Sequence, residues 1–274
     1  MPKILSLDGG SCYGVFGAHI LDNVDTSKFS AIIGTSIGSA LGAAVATDID
    51  IKLVDFFHNN MKHIFAGRWY KKFKPWTPRY NGKALEACLT NTFDGIALGD
   101  VKTPLFITAV NMYDERLKVF YSGDPSDGSR KLWECVRCST AAPTYLPPYD
   151  GYIDGGIYCN QPSVAGIAGV CSKMGWNLED IEVCSIGTGA SVSERKLKQW
   201  SYLSWGLWIL NSTLNGSSST MNDYISRALP IKKFIRIQPL REKGWAMDSA
   251  SDMLKAEKAW EDDIQRGIQT VKDF

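Results

Sequence analysis

The stretch Ile33-Gly34-Thr35-Ser36-Ile37-Gly38-Ser39 decides how the rest of the chain is read. It continues an apolar run, Ser30-Ala31-Ile32-Ile33, that suits a buried strand. It leads into Ile37, Ala40, Leu41, Ala44 and Val45, whose i, i+3, i+4, i+7, i+8 spacing predicts a helix. G-x-S-x-G between a strand and a helix is the setting in which a tight turn presents a serine hydroxyl as a nucleophile. Gly34 and Gly38 lack Cβ atoms and let neighbouring backbone come close, and Gly42 continues their spacing. The start of the helix also favours negative charge developing near Ser36. The same residues suit a helix N-cap serine whose glycines serve only packing, so the motif has to be weighed against its surroundings.

Outward from that turn, Lys3 to Asp8 reads as a short strand, broken at Gly9-Gly10-Ser11, with a helix from Gly14 to Val24. Asp50 is placed to cap a helix with Val54, Phe57, Met61 and Phe65 on one stripe. Further helices are expected over 83–90, 129–138 and after Pro162, and strands over 105–110, 117–121, 181–186 and 234–238. A polar-rich helix over 253–268 closes the chain. Strands alternating with helices predict an α/β fold: a three-layer α/β/α sandwich around a mostly parallel sheet. Nothing in the composition divides the chain, so residues 1–274 are read as one domain. Its chemical motifs lie within 3–190, and 191–274 supplies a cap segment, a strand and a helix.

Composition narrows the function. The hydrophobic fraction is 45% and the net charge +1, which suits a full core but gives no global attraction to nucleic acid or to an anionic membrane. The seven cysteines are odd in number and scattered, which points to a reducing compartment. Cys135-Val136-Arg137-Cys138 has no second pair and reads as two thiols on adjacent turns of a helix rather than a zinc or redox site. No metal or cofactor is called for, and there is no calcium-binding EF-hand pattern. The opening residues lack the features of a secretory signal, and no apolar run approaches the ~18 residues of a spanning helix, so a cytoplasmic location is expected.

A serine nucleophile ordinarily needs a base. His19, His58 and His63 are the only histidines, all in the first quarter of the chain, and His58 falls on the apolar stripe of its helix, where a packed or half-buried side chain is expected. A Ser-His-Asp triad is therefore poorly supported. Asp154, in Tyr152-Ile153-Asp154-Gly155-Gly156, is the better candidate, although Asp-Gly-Gly is also a common turn. A second Asp-Gly-Gly, Asp8-Gly9-Gly10, stands between a strand and a helix, where exposed N–H groups would form an anion nest for an oxyanion.

Taken in order, these motifs resemble those of the patatin-like phospholipases. Residues 7–14, with Asp8, Gly9, Gly10, Ser11 and Gly14, resemble the family's D-G-G-G-x-R-G loop, and Gly34 to Gly38 its nucleophile elbow. Cys138 to Pro147 resembles its A-x-S-A-A-P segment, Asp154-Gly155-Gly156 with Asn160-Gln161-Pro162 its D-G-G and N-x-P pair, and Ser185 to Gly189 its L-S-L-G-T-G strand end. The resemblance implies lipid acyl-ester hydrolysis by a Ser-Asp dyad without histidine. Carried over, Ser36 is the nucleophile, Asp154 the general base, and the backbone N–H groups of Gly9, Gly10 and Ser11 the oxyanion hole. The chain departs from the pattern where Ser11 stands for the third glycine and Tyr13 for the arginine. These departures leave open a catalytically weak or inactive lipid-binding or signalling protein on the same fold. The P-loop form of a nucleotide-binding reading fails for want of G-K-[ST] after the glycines.

Two segments could face a lipid. Residues 199–211 carry Trp200, Trp205 and Trp208 on an apolar helix, read either as a buried or dimer surface or as a cap at a membrane interface, and 215–220 after it reads as a flexible connection. Residues 68–83 interleave cations and aromatics without an acid, which suits anionic headgroups, single-stranded nucleic acid or an ordinary solvated loop. The expected partners are a lipid or phospholipid substrate and a peripheral membrane contact, with no nucleic acid.

Overall fold

The computed structural model describes residues 1–66, 77–191, 202–213, 218–242 and 245–274. Five mutually parallel strands form its centre: β1 (Lys3–Leu7), β2 (Ala31–Thr35), β3 (Leu105–Asn111), β6 (Glu182–Ile186) and β8 (Lys233–Ile237). Two more, β4 (Arg116–Tyr121) and β5 (Tyr152–Asp154), run antiparallel to β3. The sheet order is β4-β3-β2-β1-β6-β8, with β5 also beside β3. A separate two-stranded pair joins β7 (Ala190–Ser191) to β9 (Leu240–Arg241).

Alternating side chains send each strand into two cores. Leu5, Leu7, Ile32, Ile107, Cys184 and Ile186 pack into a larger one with α1 (Val15–Leu21), α2 (Ile37–Thr47), α3 (Leu53–Ile64), α4 (Lys83–Phe93), α6 (Leu132–Ser139), α11 (Ala250–Ala259) and α12 (Glu261–Lys272). Ile4, Ile33, Phe106 and Val183 pack on the other side against α8 (Ser163–Met174). Helices on both faces of a mostly parallel sheet make the expected three layers.

Several local expectations are corrected. The α3 helix is capped not by Asp50 but by Asp22, whose carboxylate accepts the Leu53 and Val54 N–H groups at 2.9 and 3.0 Å. His58 is not packed on the stripe. It is exposed, and it shares Glu257 of α11 with His19. The closing helix is two helices that meet at the buried Trp260, whose indole N–H donates to the Leu240 carbonyl. Ser218 to Thr220 are not loop but the first turn of α10 (Ser218–Ala228). No helix among the described residues is long and apolar enough to cross a membrane.

Candidate active site

Sheet register brings the site together. Thr35, the last residue of β2, stands opposite Thr108 of β3, and the next β3 residue, Ala109, stands opposite Asp154 of β5. Ser36 and Asp154, 118 residues apart, thus meet at the carboxyl end of β2. The Ser36 hydroxyl donates to Asp154 Oδ2 at 2.6 Å. Asp154 Oδ1 accepts the Gly156 N–H at 2.7 Å, and the Asp154 N–H donates to the Ala141 carbonyl. The junction is pinned from below: Thr35 Oγ1 lies 2.6 Å from Thr108 Oγ1 and donates to the Cys159 carbonyl. Gly155 sits directly against Thr108.

Ser36 has φ 53°, a strained backbone for a residue with a Cβ. Its surroundings hold it there. Its N–H donates to Ser139 Oγ at 2.8 Å, and its carbonyl accepts both the N–H and the hydroxyl of Ser39. Gly34 and Gly38 let β2, α2 and the end of β1 nearly touch beneath this turn. Asp154 is almost fully buried. Burial raises its pKa to about 6, opposed by the hydrogen bonds from Ser36 and Gly156.

The loop after β1 faces this pair. Asp8 is held by the Arg236 guanidinium of β8, which also donates to Ser185 Oγ and Gln238 Oε1. The Gly9 N–H is committed to the Asn160 carbonyl at 3.1 Å, so it is not available to an oxyanion, a correction to the sequence reading. The Gly9 carbonyl accepts the Thr188 hydroxyl at 2.6 Å. The Gly10 and Ser11 N–H groups donate to no acceptor among the described residues, and both residues line the cleft that contains Ser36. Gly14 ends the short turn after Ser11 and packs against Ile37 and Phe57.

Ser11 has φ 54° where the resembled pattern carries glycine. Ser11→Gly is expected to stabilise the protein by about 0.5–1 kcal/mol, relief of left-handed strain outweighing the added freedom of the unfolded chain. That corresponds to a rise of about 1–4 °C in Tm. Differential scanning calorimetry reads it, and a Tm at or below wild type would show that Ser11 is not strained.

The cleft above Ser36 encloses about 740 Å³ of empty space, counting its open mouth. Its floor is polar, with Ser36, Asp154 and Asn160, and its walls are apolar: Met61 and Ile64 of α3, Phe65, Leu85 of α4, Leu146 and Met247. Sequence reading missed these walls, because a stripe of Val54, Phe57, Met61 and Phe65 looks the same whether it meets core or cleft. It also missed Arg236 and Met247, for which no local signal exists. Asn160 and Ser139 were marked only as members of longer motifs.

Of the segments read as lipid-facing, Trp200 and residues 68–76 and 215–217 lie outside the described residues. Trp205 and Trp208 lie on α9 (Tyr202–Ser212), meet edge to face, and are exposed. Arg79 and Tyr80 both bond Asp248. Cys135 and Cys138 are free, buried thiols, pushed up to about 12 by burial.

Comparison with known proteins bears on this arrangement. The cGAMP-activated phospholipase of Vibrio cholerae is 27% identical, the match spanning 85% of this chain and 77% of that protein. Patatin-like protein 4 of Arabidopsis thaliana is also 27% identical, over 77% of this chain and 66% of that protein. The crystal structure of VipD from Legionella pneumophila covers 98% of this chain, and 67% of its own length is matched, at a TM-score of 0.51 and 12% identity, a likeness of fold. The family model described as patatin-like phospholipase matches residues 5–164, more than half of the chain and inclusive of both Ser36 and Asp154, and the chain belongs to that family.

Proposed function

We propose that the protein is a lipid acyl hydrolase that cleaves carboxylic esters of phospholipids or related lipids through Ser36 and Asp154. The observation that carries this reading is the 2.6 Å hydrogen bond from the Ser36 hydroxyl to a buried carboxylate at the floor of an apolar cleft. Asp154 takes the hydroxyl proton as Oγ attacks the ester carbonyl. The Gly10 and Ser11 amides receive the oxyanion. The tetrahedral adduct collapses to an acyl-Ser36 ester, and Asp154 returns the proton to the departing alcohol. Water then attacks the acyl-enzyme with Asp154 again as base, which releases the fatty acid. The raised pKa supports this role: a carboxylate in bulk water is too weak a base for a serine hydroxyl, and burial makes Asp154 a stronger one.

The apolar walls fit an acyl chain, and the exposed Trp205, Trp208 and Ile209 of α9 suit a lipid interface, so a peripheral membrane contact belongs to the same reading. We read the chain as one working unit, because β8 extends the same sheet and α12 packs on α1.

The test uses the full chain with phospholipid vesicles and a fluorophosphonate probe. Wild type is expected to release fatty acid and to be labelled on the Ser36 peptide, and Ser36→Ala to do neither. Full turnover in Ser36→Ala would overturn the dyad. A wild type that is labelled but releases no acid from vesicles or short-chain esters would favour a lipid-binding role, for which the strained Ser11 is the supporting observation.

A further inference from the structure

The C-terminal part of the chain, beyond the family-matched residues, grips the loop after β1 at one side chain. Tyr13 follows Ser11 by two residues and is fully buried. The Arg241 guanidinium lies over its ring, 5.0 Å from the centroid. Trp260 meets the ring edge-on at 5.8 Å, and Trp245 lies tilted against it at 6.4 Å. Trp260 is fixed in turn by Phe16 and by its hydrogen bond to Leu240, the neighbour of Arg241 in β9. Between Ser11 and Tyr13, the Cys12 N–H donates to the Met247 carbonyl at 3.1 Å.

The Tyr13 hydroxyl is buried and bonds to nothing among the described residues. A buried, unpaired hydroxyl is a cost, so the fold keeps the ring despite the hydroxyl. Ser11, held at φ 54°, lies between two anchors: Arg236 on Asp8 before it and the Tyr13 box after it. A strained backbone persists only where its surroundings over-determine it. A guanidinium stacked on an aromatic face away from water is a strong local contact.

We propose that Tyr13 and Arg241 are positioning residues whose stack, closed by Trp245 and Trp260, keeps the Gly10 and Ser11 amides facing Ser36. The proposal rests on the reading of those amides as oxyanion donors. It makes Arg241, Trp245 and Trp260 a clamp on the loop that faces Ser36.

The test compares Tyr13→Leu, Tyr13→Phe, Arg241→Met and Arg241→Lys in the full chain. Each is followed by kcat and KM on a short-chain p-nitrophenyl ester and by hydrogen–deuterium exchange of the peptide covering residues 5–16. Loss of one oxyanion donor lowers turnover by about 100–1,000-fold. Tyr13→Leu and Arg241→Met, which loosen the donors without deleting them, are expected to lower kcat at least about tenfold, with KM changed little, and to speed exchange over 9–13. Tyr13→Phe keeps the ring and is expected to rescue both readouts, with a Tm no lower than wild type. Arg241→Lys keeps a cation and is expected to fall between wild type and Arg241→Met.

A folded Tyr13→Leu with wild-type kcat and exchange overturns the proposal, as does a Tyr13→Phe as impaired as Tyr13→Leu. If Tyr13→Leu fails to fold, the Arg241 pair decides, and equal loss in Met and Lys variants counts against the stack. If wild type hydrolyses no ester, the functional reading fails, yet the exchange result still judges the clamp.

Discussion

Asp154→Asn is expected to lose turnover by about 100–10,000-fold, the range supplied by a positioned general base, with fluorophosphonate labelling slowed alongside it. The substitution is close to isosteric. The amide oxygen can still accept the Gly156 N–H and the amide nitrogen can still reach Ser36 Oγ, so the site is expected to keep its shape and to lose only the proposed proton acceptor. The wild-type rate is expected to climb with pH through about 6, as Asp154 ionises in its buried setting. Stability runs the other way. The carboxyl ionises near 3.8 in the unfolded chain and at about 6 in the folded protein. Between those values the native state keeps a proton that the unfolded state has released, so stability falls as pH rises, by about 3 kcal/mol in full. Asp154→Asn removes that dependence. Above pH 6 the inactive variant is expected to be the more stable protein, with the advantage vanishing near pH 4. Turnover within tenfold of wild type, or a wild-type rate flat from pH 4.5 to 7.5, would remove Asp154 from the base role.

Gly38→Ala is expected to have the largest effect on folding. A Cβ there would lie 2.2 Å from the Leu7 carbonyl oxygen and 2.6 Å from that of Asp8. Both are backbone atoms, of a central strand and of the loop that faces Ser36, and neither can rotate away. Relief requires α2 to lift off β1, which opens the larger core. The cost should exceed about 4 kcal/mol, the range reserved for identifiable steric or core lesions. Gly42→Ala, one turn further along α2, is the control: its nearest neighbour is an Ile32 methyl at 3.0 Å, which can shift. Soluble yield and urea midpoints compare the two. A Gly38→Ala protein with a wild-type midpoint would mean that the strand–helix junction is looser than drawn.

The sequence spelled out whatever depends on neighbours in the chain. The strand–turn–helix around Ser36 follows from hydrophobic spacing and two glycines, and the parallel sheet from the alternation of elements. Asp154 could be singled out because so few histidines compete with it. What was not legible depends on register and on distant partners. Nothing within Tyr152-Ile153-Asp154 announces a three-residue strand on β3, yet that pairing delivers the carboxylate. Gly9 reads like Gly10 until Asn160 is seen to occupy its N–H. The helix cap supplied by Asp22 from outside α3, and the break at Trp260, are likewise decisions of tertiary contact over local pattern.

The grip of Arg236 on Asp8 has a consequence for synthesis. The first strand and the serine turn leave the ribosome early and Asp154 follows past mid-sequence, but the arginine that fixes the loop beside them is encoded more than 200 residues after Asp8. A nascent chain can therefore hold its serine and its aspartate while the loop between them and the substrate is still unanchored. The loop that faces Ser36 and Asp154 gains this anchor only when β8 docks beside β6.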